Sequence, residues 1–444
     1  MLQVKPAVWK DEVACFSRTD VGVKRSHNQD SHGISLARSE SIWNRRGHLF
    51  TVADGMGAHA VGELASKMAV QSIEHTYPRL KEDDPAEALR TAFTLTNEVV
   101  HTKGMQNLEF RGMGTTATAL ALFPEDAYVC HVGDSRCYRI RDGVIEQLTF
   151  DHSLQWELAR QRHVAPEELG HIPTNVIVRS LGPQAEVKVD VGGPYPLEIG
   201  DRFLLCSDGL SGPVKDDELW AAVTTLPGEE ACQFLVDLAN LRGGLDNITL
   251  VLVEAGKKGE ANGGRVRRSL RSMIYRWASK APSEWWWFLA GVATAAVGAM
   301  LIVWGNWRLN SAIMTTALVL LGVAFATSVR RRRKAEQRKA INEQHPQPAA
   351  PVHRSRHCLV DKSLIDMVAK EEQRLRELAI EQSWRVAWDQ LAPVHAKAEE
   401  SLAAGALSSA FREYARAVSI LSIGLRKHHD KQEVLIPHWD RHQK

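Results

Sequence analysis

Leu49-Phe50-Thr51-Val52-Ala53-Asp54-Gly55-Met56-Gly57 is an apolar run that stops at a carboxylate and opens into small residues. A short apolar run bounded by glycine reads as a buried strand, and an aspartate at its end is presented to whatever lies beyond the sheet. Arg202-Phe-Leu-Leu-Cys206 repeats the pattern and leads into Ser207-Asp208-Gly209. Three more aspartates have comparable settings: Asp30 in Asn28-Gln29-Asp30, Asp134 in Gly133-Asp134-Ser135-Arg136, and Asp246 in Asp246-Asn247-Ile-Thr249. Hard divalent cations such as Mg²⁺ and Mn²⁺ take carboxylate and carbonyl oxygens together with water. Aspartates dispersed over strand ends are a natural ligand set for them.

Outward from these two runs, further strands are expected at Thr116–Leu122, Ala127–Val132, Arg136–Ile140, Val144–Leu148 and Ile248–Val253, with helices over Gly62–Thr76, Pro85–Lys103, Leu154–Arg162 and Glu229–Leu241. Consecutive strands joined by tight turns argue for antiparallel sheets whose outer faces the helices cover, an α+β layered sandwich. Asp142-Gly143 separates two strand-like runs by two residues, the pattern of a hairpin turn, and is set apart from the candidate metal ligands on that ground.

The chain has 444 residues, 44% hydrophobic and 24% charged, a composition of folded modules that exceeds one ordinary core. A net charge of +2 implies no general nucleic-acid surface; the basic residues are concentrated locally instead. The six cysteines show no Cys-x-x-Cys spacing, which suits buried thiols in a reducing compartment. Ala7-Val8-Trp9, set among Lys5, Lys10 and Asp11, is too short and polar to read as a signal peptide.

The five aspartates stand within an ordered series of motifs. These are Thr19-Asp20-Val-Gly22-Val-Lys-Arg25, Asn28-Gln29-Asp30, Asp54-Gly55-Met56-Gly57 with Gly62-Glu63-Leu-Ala-Ser66, and Gly114-Thr115-Thr116-Ala-Thr118. After them come His131-Val-Gly133-Asp134-Ser135-Arg136, Leu148-Thr149-Phe-Asp151-His152-Ser153, Arg179-Ser180-Leu-Gly182, Ser207-Asp208-Gly209 and Asp246-Asn247-Ile-Thr249. From about Ser17 to Val253 this series resembles the bacterial form of the PPM, or PP2C-type, metal-dependent serine/threonine protein phosphatases. The resemblance implies a four-layer α-β-β-α sandwich with metals at one end, and two tightly bound Mn²⁺ or Mg²⁺ ions with a third, weaker one.

It also implies residue roles. Asp54 bridges two ions, the Gly55 carbonyl joins one, Asp208 and Asp246 complete the other, Asp30 acts through coordinated water, and Asp134 shares the third ion with Asp208. Two divalent ions about 3.5–4 Å apart lower the pKa of a water held between them, so phosphoserine and phosphothreonine would be hydrolysed by direct attack of that water. Arg25 is the expected phosphate clamp and, with Asp54, the expected catalytic pair, since its guanidinium fork matches two phosphate oxygens. The chain departs from the animal-type pattern, which has a histidine two residues after the bridging aspartate; here Met56 stands there and the general acid is unassigned. His59 is nearby, and Gln29 replaces a frequent glutamate. Asp151–Gly182, carrying Pro166 and Pro173, falls where the family has a flap beside the metal site, and loops of that kind commonly contact substrate. The implied partners are phosphorylated Ser/Thr proteins and a cognate Ser/Thr kinase, with no nucleic acid. The alternative is a catalytically weak PP2C-like domain kept as a phosphoprotein- or kinase-binding scaffold at the membrane.

The expected organisation is a phosphatase-like domain over 13–256, a linker over 257–284 with eight basic residues, a hairpin of two membrane spans over 285–329, and a helical tail over 330–444. Residues 285–304 and 311–329 are uncharged apolar stretches of 20 and 19 residues, each long enough to cross a bilayer core. Basic clusters precede the first and follow the second, and the short intervening loop carries one cation, Arg308. The positive-inside rule therefore places both ends in the cytoplasm of a multi-pass protein of the inner or plasma membrane. In the tail, Leu359–Gln390 and Val394–Arg426 are expected helices with a break near Pro393. The spacing of Ala398, Gly405, Ala410, Tyr414 and Ala417 is that of one tetratricopeptide-like protein-binding unit, or else of a plain helical hairpin or coiled-coil element.

Overall fold

The computed structural model describes residues 13–57, 61–170, 172–256 and 352–435. In chain order the strands are β1 (Val13–Asp20), β2 (Asp30–Ser35), β3 (His48–Met56), β4 (Gly114–Thr115), β5 (Ala117–Leu122), β6 (Asp126–Val132), β7 (Arg136–Arg141), β8 (Val144–Gln147), β9 (Asp190–Pro196), β10 (Arg202–Cys206), β11 (Ile248–Ala255) and β12 (Arg354–His357). The helices are α1 (Glu40–Arg46), α2 (Val61–Thr76), α3 (Pro85–Gln106), α4 (Leu154–Arg162), α5 (Asp208–Ser211), α6 (Asp216–Thr225), α7 (Gly228–Leu241), α8 (Lys362–Glu381), α9 (Trp388–Ala403) and α10 (Leu407–Leu435).

Two antiparallel sheets stack face to face, one in the order β1-β11-β10-β7-β8-β12 and the other in the order β2-β3-β5-β6-β9 with β4 on β3. Between them lies a core that includes Phe50, Val52, Leu120, Phe203, Leu205, Val251 and Val253. Alternate residues of the same strands face outward and bury the helices. Leu49, Ala119 and Ala121 meet Ala69, Ile73 and Phe93 of α2 and α3, while Leu204, Leu250 and Leu252 meet Leu219 of α6 and Leu235 of α7. Strands buried on both faces read as unbroken apolar runs, which is why β10 and β11 stood out in the sequence. The α+β sandwich is as expected, and Asp142-Gly143 is the hairpin turn between β7 and β8, with positive φ at both positions (47° and 78°).

The segment after residue 351 corrects the expectation of a tail separate from the sandwich. Strand β12 pairs antiparallel with β8, from Arg354 opposite Gln147 to His357 opposite Val144. Helix α10 then packs on the outer faces of α6 and α7, α8 and α9 pack on α10, and the residues on either side of the intervening stretch form one compact unit. Phe411 meets Phe234 edge to face at 5.9 Å, Arg412 Nε donates to the Thr225 carbonyl at 2.8 Å, and Arg416 and Arg426 pair with Glu230 and Asp237 at 2.7 and 2.8 Å. Among the described residues the tail has three helices, not two, and Pro393 sits inside α9. One missing N–H near a helix start costs a single intrahelical bond, and the real breaks come at 382–387 and at Gly405, whose φ is 71°. Ala398, Ala410, Tyr414 and Ala417 are buried in the resulting core, consistent with either reading of their spacing.

The linker, both expected membrane spans and residues 330–351 lie outside the described residues, as does His59. Among the described residues no helix is long and apolar enough to cross a membrane.

Candidate active site

The register of β2 on β3 sets Asp30 directly opposite Asp54. Asp208 follows the last residue of β10 and Asp246 precedes β11, two strands paired with Cys206 opposite Leu250. Asp134 lies in the turn from β6 to β7, after Gly133, whose φ is 117°. All five aspartates therefore emerge at one end of the sandwich, Asp30 and Asp54 from one sheet, Asp208 and Asp246 from the other, and Asp134 from the turn that joins the two.

Two glycines allow the backbones to meet there. A Cβ on Gly55 would lie 2.0 Å from the Gly62 carbonyl oxygen, and one on Gly209 would lie 2.0 Å from that of Asn247. No side chain fits at that distance. The Asp-Gly pairs at the two strand ends thus serve close packing of the loops that carry the carboxylates.

Hydroxyls and amides fix the aspartates. Ser207 Oγ donates to Asp30 Oδ2 at 2.7 Å, the Asp54 backbone N–H donates to Thr116 Oγ1 at 2.8 Å, and Thr115 Oγ1 donates to the Asp54 carbonyl at 2.8 Å. Asn247 accepts from the Gln29 N–H at 2.8 Å and donates to the Val21 and His27 carbonyls, joining the Arg25 loop to the Asp246 turn. Ser135 bonds Thr116, and Arg136 forks onto the buried Asp151 at 2.8–3.1 Å, so neither neighbour holds the Asp134 carboxylate.

The electrostatics are those of a site built for cations. Burial pushes Asp54 well above the usual carboxylate range, and repulsion from Asp30, Asp208, Asp134 and Asp246 adds to the push. Burial likewise raises Asp134 and Asp208, and it lifts Asp30 to about 7 against the lowering effect of bonds from Ser207 and Thr249. Asp30 Oδ1, Asp134 Oδ1 and Asp208 Oδ1 are buried without a hydrogen-bond partner. Orphaned carboxylate oxygens facing one another are costly unless positive charge joins them. An all-oxygen donor set fits a hard divalent cation. Among the described residues no three His, Cys, Asp or Glu side chains close into a ready cage for one ion. A cation that keeps several of its waters does not require one.

Arg25 is at the site, but its Nη2 lies 2.7 Å from Asp246 Oδ2 and the side chain is half exposed. The expected phosphate clamp and the expected metal ligand are thus paired with each other, which leaves the other edge of the guanidinium for an anion.

His152 is a further functional candidate with no role assigned in the sequence. Its backbone N–H donates to the Gly133 carbonyl at 2.7 Å and its Nδ1 accepts the Gly133 N–H at 3.0 Å, a two-point clamp on the residue before Asp134. With Nδ1 accepting, Nε2 carries the proton and donates to Asp190 Oδ2 at 3.0 Å. Asp190 also pairs with Arg179 at 3.0 Å. His152 and Ser207 were legible only as members of motifs, because the contacts that give them work join residues far apart in the chain.

Residues 23–227 match the protein phosphatase 2C family. Protein phosphatase PhpP of Streptococcus pneumoniae is 39% identical over 248 residues, which are 54% of this chain and 96% of the relative. Serine/threonine phosphatase stp of Listeria monocytogenes is 34% identical over 245 residues, 53% of this chain and 94% of the relative. The crystal structure of serine/threonine phosphatase Stp1 from Staphylococcus aureus superposes with a TM-score of 0.50 at 32% identity, covering 56% of this chain and 96% of that one. An ordered motif series, a two-sheet sandwich with its aspartates gathered at one end, and near-complete coverage of such relatives agree: the chain belongs to the protein phosphatase 2C family of serine/threonine protein phosphatases.

Proposed function

We propose that the chain is a membrane-anchored phosphoprotein phosphatase whose carboxylate centre holds two Mn²⁺ or Mg²⁺ ions, with a weaker third. The observation that carries this is the convergence of Asp30, Asp54, Asp134, Asp208 and Asp246, three of them with an orphaned buried oxygen. Asp54, the Gly55 carbonyl, Asp208 and Asp246 would hold the tight pair, Asp30 would act through water, and Asp134 with Asp208 would hold the third. When bound, the cations supply charge that brings the pKa of water toward neutrality and offsets that of the phosphate.

The protein's own groups orient the reaction. Arg25 binds two phosphate oxygens through its free edge, and its pairing with Asp246 keeps it from swinging into solvent. Asn247 fixes the loop that carries Arg25 against the turn that carries Asp246. His152 holds the Gly133–Asp134 turn, while the roots of the flap are tied at the Leu181–Thr115 and Val178–His152 backbone pairs. With Met56 after Gly55, no side chain of the described site is assigned to protonate the leaving serine or threonine.

Replacing Arg25 by Ala is expected to lower kcat/KM for a phosphothreonine peptide at least about tenfold, since a charge-assisted hydrogen bond contributes roughly 1.5–3 kcal/mol. The loss should fall mainly in KM, measured by steady-state kinetics. The scaffold alternative is disfavoured, because a binding module has no use for mutually repelling buried carboxylates. A test of the function is phosphate release by the full-length chain from a phosphothreonine peptide with Mn²⁺, with Mg²⁺ and with EDTA. Release that EDTA abolishes supports the reading; a folded protein inert under every metal counts against it.

The anchoring half of the proposal rests on the two apolar stretches 285–304 and 311–329 and their basic flanks. On this reading the phosphatase and the tail would lie on the cytoplasmic face of an inner or plasma membrane, with access to membrane substrates and a cognate Ser/Thr kinase. Retention in the pellet after alkaline carbonate washing is the expected result, and release into the supernatant would remove the hairpin. A partner of the tail would have to use faces other than the one seated on α6 and α7.

A further inference from the structure

Strand β12 reaches the flap as well as the sheet. Arg354 Nη1 lies 2.6 Å from Glu167 Oε1, in the 3-10 turn Pro166–Leu169 of the flap, and Arg354 Nε lies 3.2 Å from Asp216 Oδ2 in the first turn of α6. Asp216 is buried and Glu167 is exposed, so the guanidinium ties a surface carboxylate of the flap to a buried one of α6. Next to it, the His353 N–H donates to the Gln147 carbonyl at 3.0 Å, and the His353 ring meets Phe150 edge to face at 5.6 Å. A cavity of about 380 Å³ opens in the flap beside His353, with Trp156, Arg160, Arg179 and Lys188 among its other walls. The flap's two roots adjoin the carboxylates, one through His152 and Gly133, the other through Leu181 and Thr115. The segment after residue 351 thus packs against the flap beside the site.

We propose that Arg354 is a positioning residue for the phosphatase reaction: by holding Glu167 against α6 it fixes the flap in the orientation that receives protein substrates. Resting on the phosphatase reading above, the proposal adds that substrate affinity depends on a residue from beyond the stretch 257–351. Arg354 touches neither phosphate nor carboxylate centre. A small aryl phosphate, which needs only that centre, should therefore be indifferent to it, whereas a phosphopeptide should not.

The test compares KM and kcat of the full-length chain for a phosphothreonine peptide and for p-nitrophenyl phosphate, in the parent, Glu167→Gln, Arg354→Gln, Arg354→Lys and the double variant Glu167→Gln/Arg354→Gln. Each Gln substitution is expected to raise the peptide KM about threefold, the scale of a partly exposed ion pair, with p-nitrophenyl phosphate kinetics unchanged. The double variant should be no worse than Arg354→Gln, since both changes break one bond, and Arg354→Lys should recover part of the loss. Glu167→Gln leaves β12 and the Asp216 contact in place and carries the test even where Arg354→Gln folds poorly. An unchanged peptide KM in Glu167→Gln overturns the proposal, as does an equal loss on both substrates. A parent that turns over p-nitrophenyl phosphate but not the peptide overturns the protein-substrate reading and this inference together.

Discussion

Asp54→Asn is expected to abolish phosphatase turnover while leaving the fold intact. Outer partners of metal ligands typically contribute 10–100-fold to affinity or activity, so a residue that would hold the ions directly, as proposed for Asp54, should lie beyond the upper end, at more than about 100-fold. Asn keeps the shape of Asp54 and can still occupy its place opposite Asp30 at the end of β3. It also removes one charge from a buried cluster. Burial and four neighbouring carboxylates already hold Asp54 well above its ordinary pKa, so its ionised form opposes folding at neutral pH and the neutral amide does not. The substitution should therefore raise the melting temperature of EDTA-treated protein while lowering that of Mn²⁺-loaded protein relative to the parent. Asp208→Asn should behave alike, whereas Asp134→Ala should weaken turnover with less effect on the tight ion pair. Near-parental turnover by Asp54→Asn would sink the site assignment.

The second large effect is on stability. A chain ended at residue 256 keeps every strand of the sandwich except β12 but loses the layer seated on α6 and α7. The matched half covers 94–96% of relatives such as PhpP and stp. In this chain, however, the outer faces of α6 and α7 are fitted to a partner. Phe234 packs on Phe411, and Asp237 is buried against Arg426. Uncovering a buried aromatic or aliphatic side chain costs about 1.5–3 kcal/mol. Phe234 and other apolar side chains of α6 and α7 in that shared core would lose this cover, so several kcal/mol are at stake. For a domain of this size each kcal/mol is worth roughly 2–4 °C. Truncation should lower the melting temperature by about 10 °C or more and expose dye-binding apolar surface, read by thermal denaturation and light scattering. A monodisperse fragment melting within about 2 °C of the full chain would show that the tail adds nothing to the fold.

How much of this was legible in the sequence follows from how local each signal is. Strands buried on both faces, β3, β5, β10 and β11, declared themselves as apolar runs, and the Asp142-Gly143 turn by its two residues. Strands β1, β2 and β9 did not: they mix Arg18, His32, Gly192 and Gly193 into partly exposed segments whose extended form comes from pairing with β11, β3 and β6. Strand β12, Arg-Ser-Arg-His, has no strand propensity to speak of and is made by the edge of β8.

The candidate site was legible because its aspartates sit at strand ends within fixed motifs, and the structure brings those strand ends to one end of the sandwich. The contact between Arg25 and Asp246 was not, nor was the clamp of His152 on Gly133, since each joins residues remote in sequence. The same reason hid the docking of the tail. The apolar stripe of α10 looks alike whether it faces a neighbour helix, a separate partner or the sandwich, and only the fold says which.

The most direct measurement of the central claim is calorimetric titration of Mn²⁺ into metal-free full-length chain and into Asp54→Asn. The account predicts two tight sites in the parent, filled with release of protons from the raised carboxylates, and loss of both in the variant. Equal Mn²⁺ binding by the two proteins, or no binding by a folded parent, would contradict it.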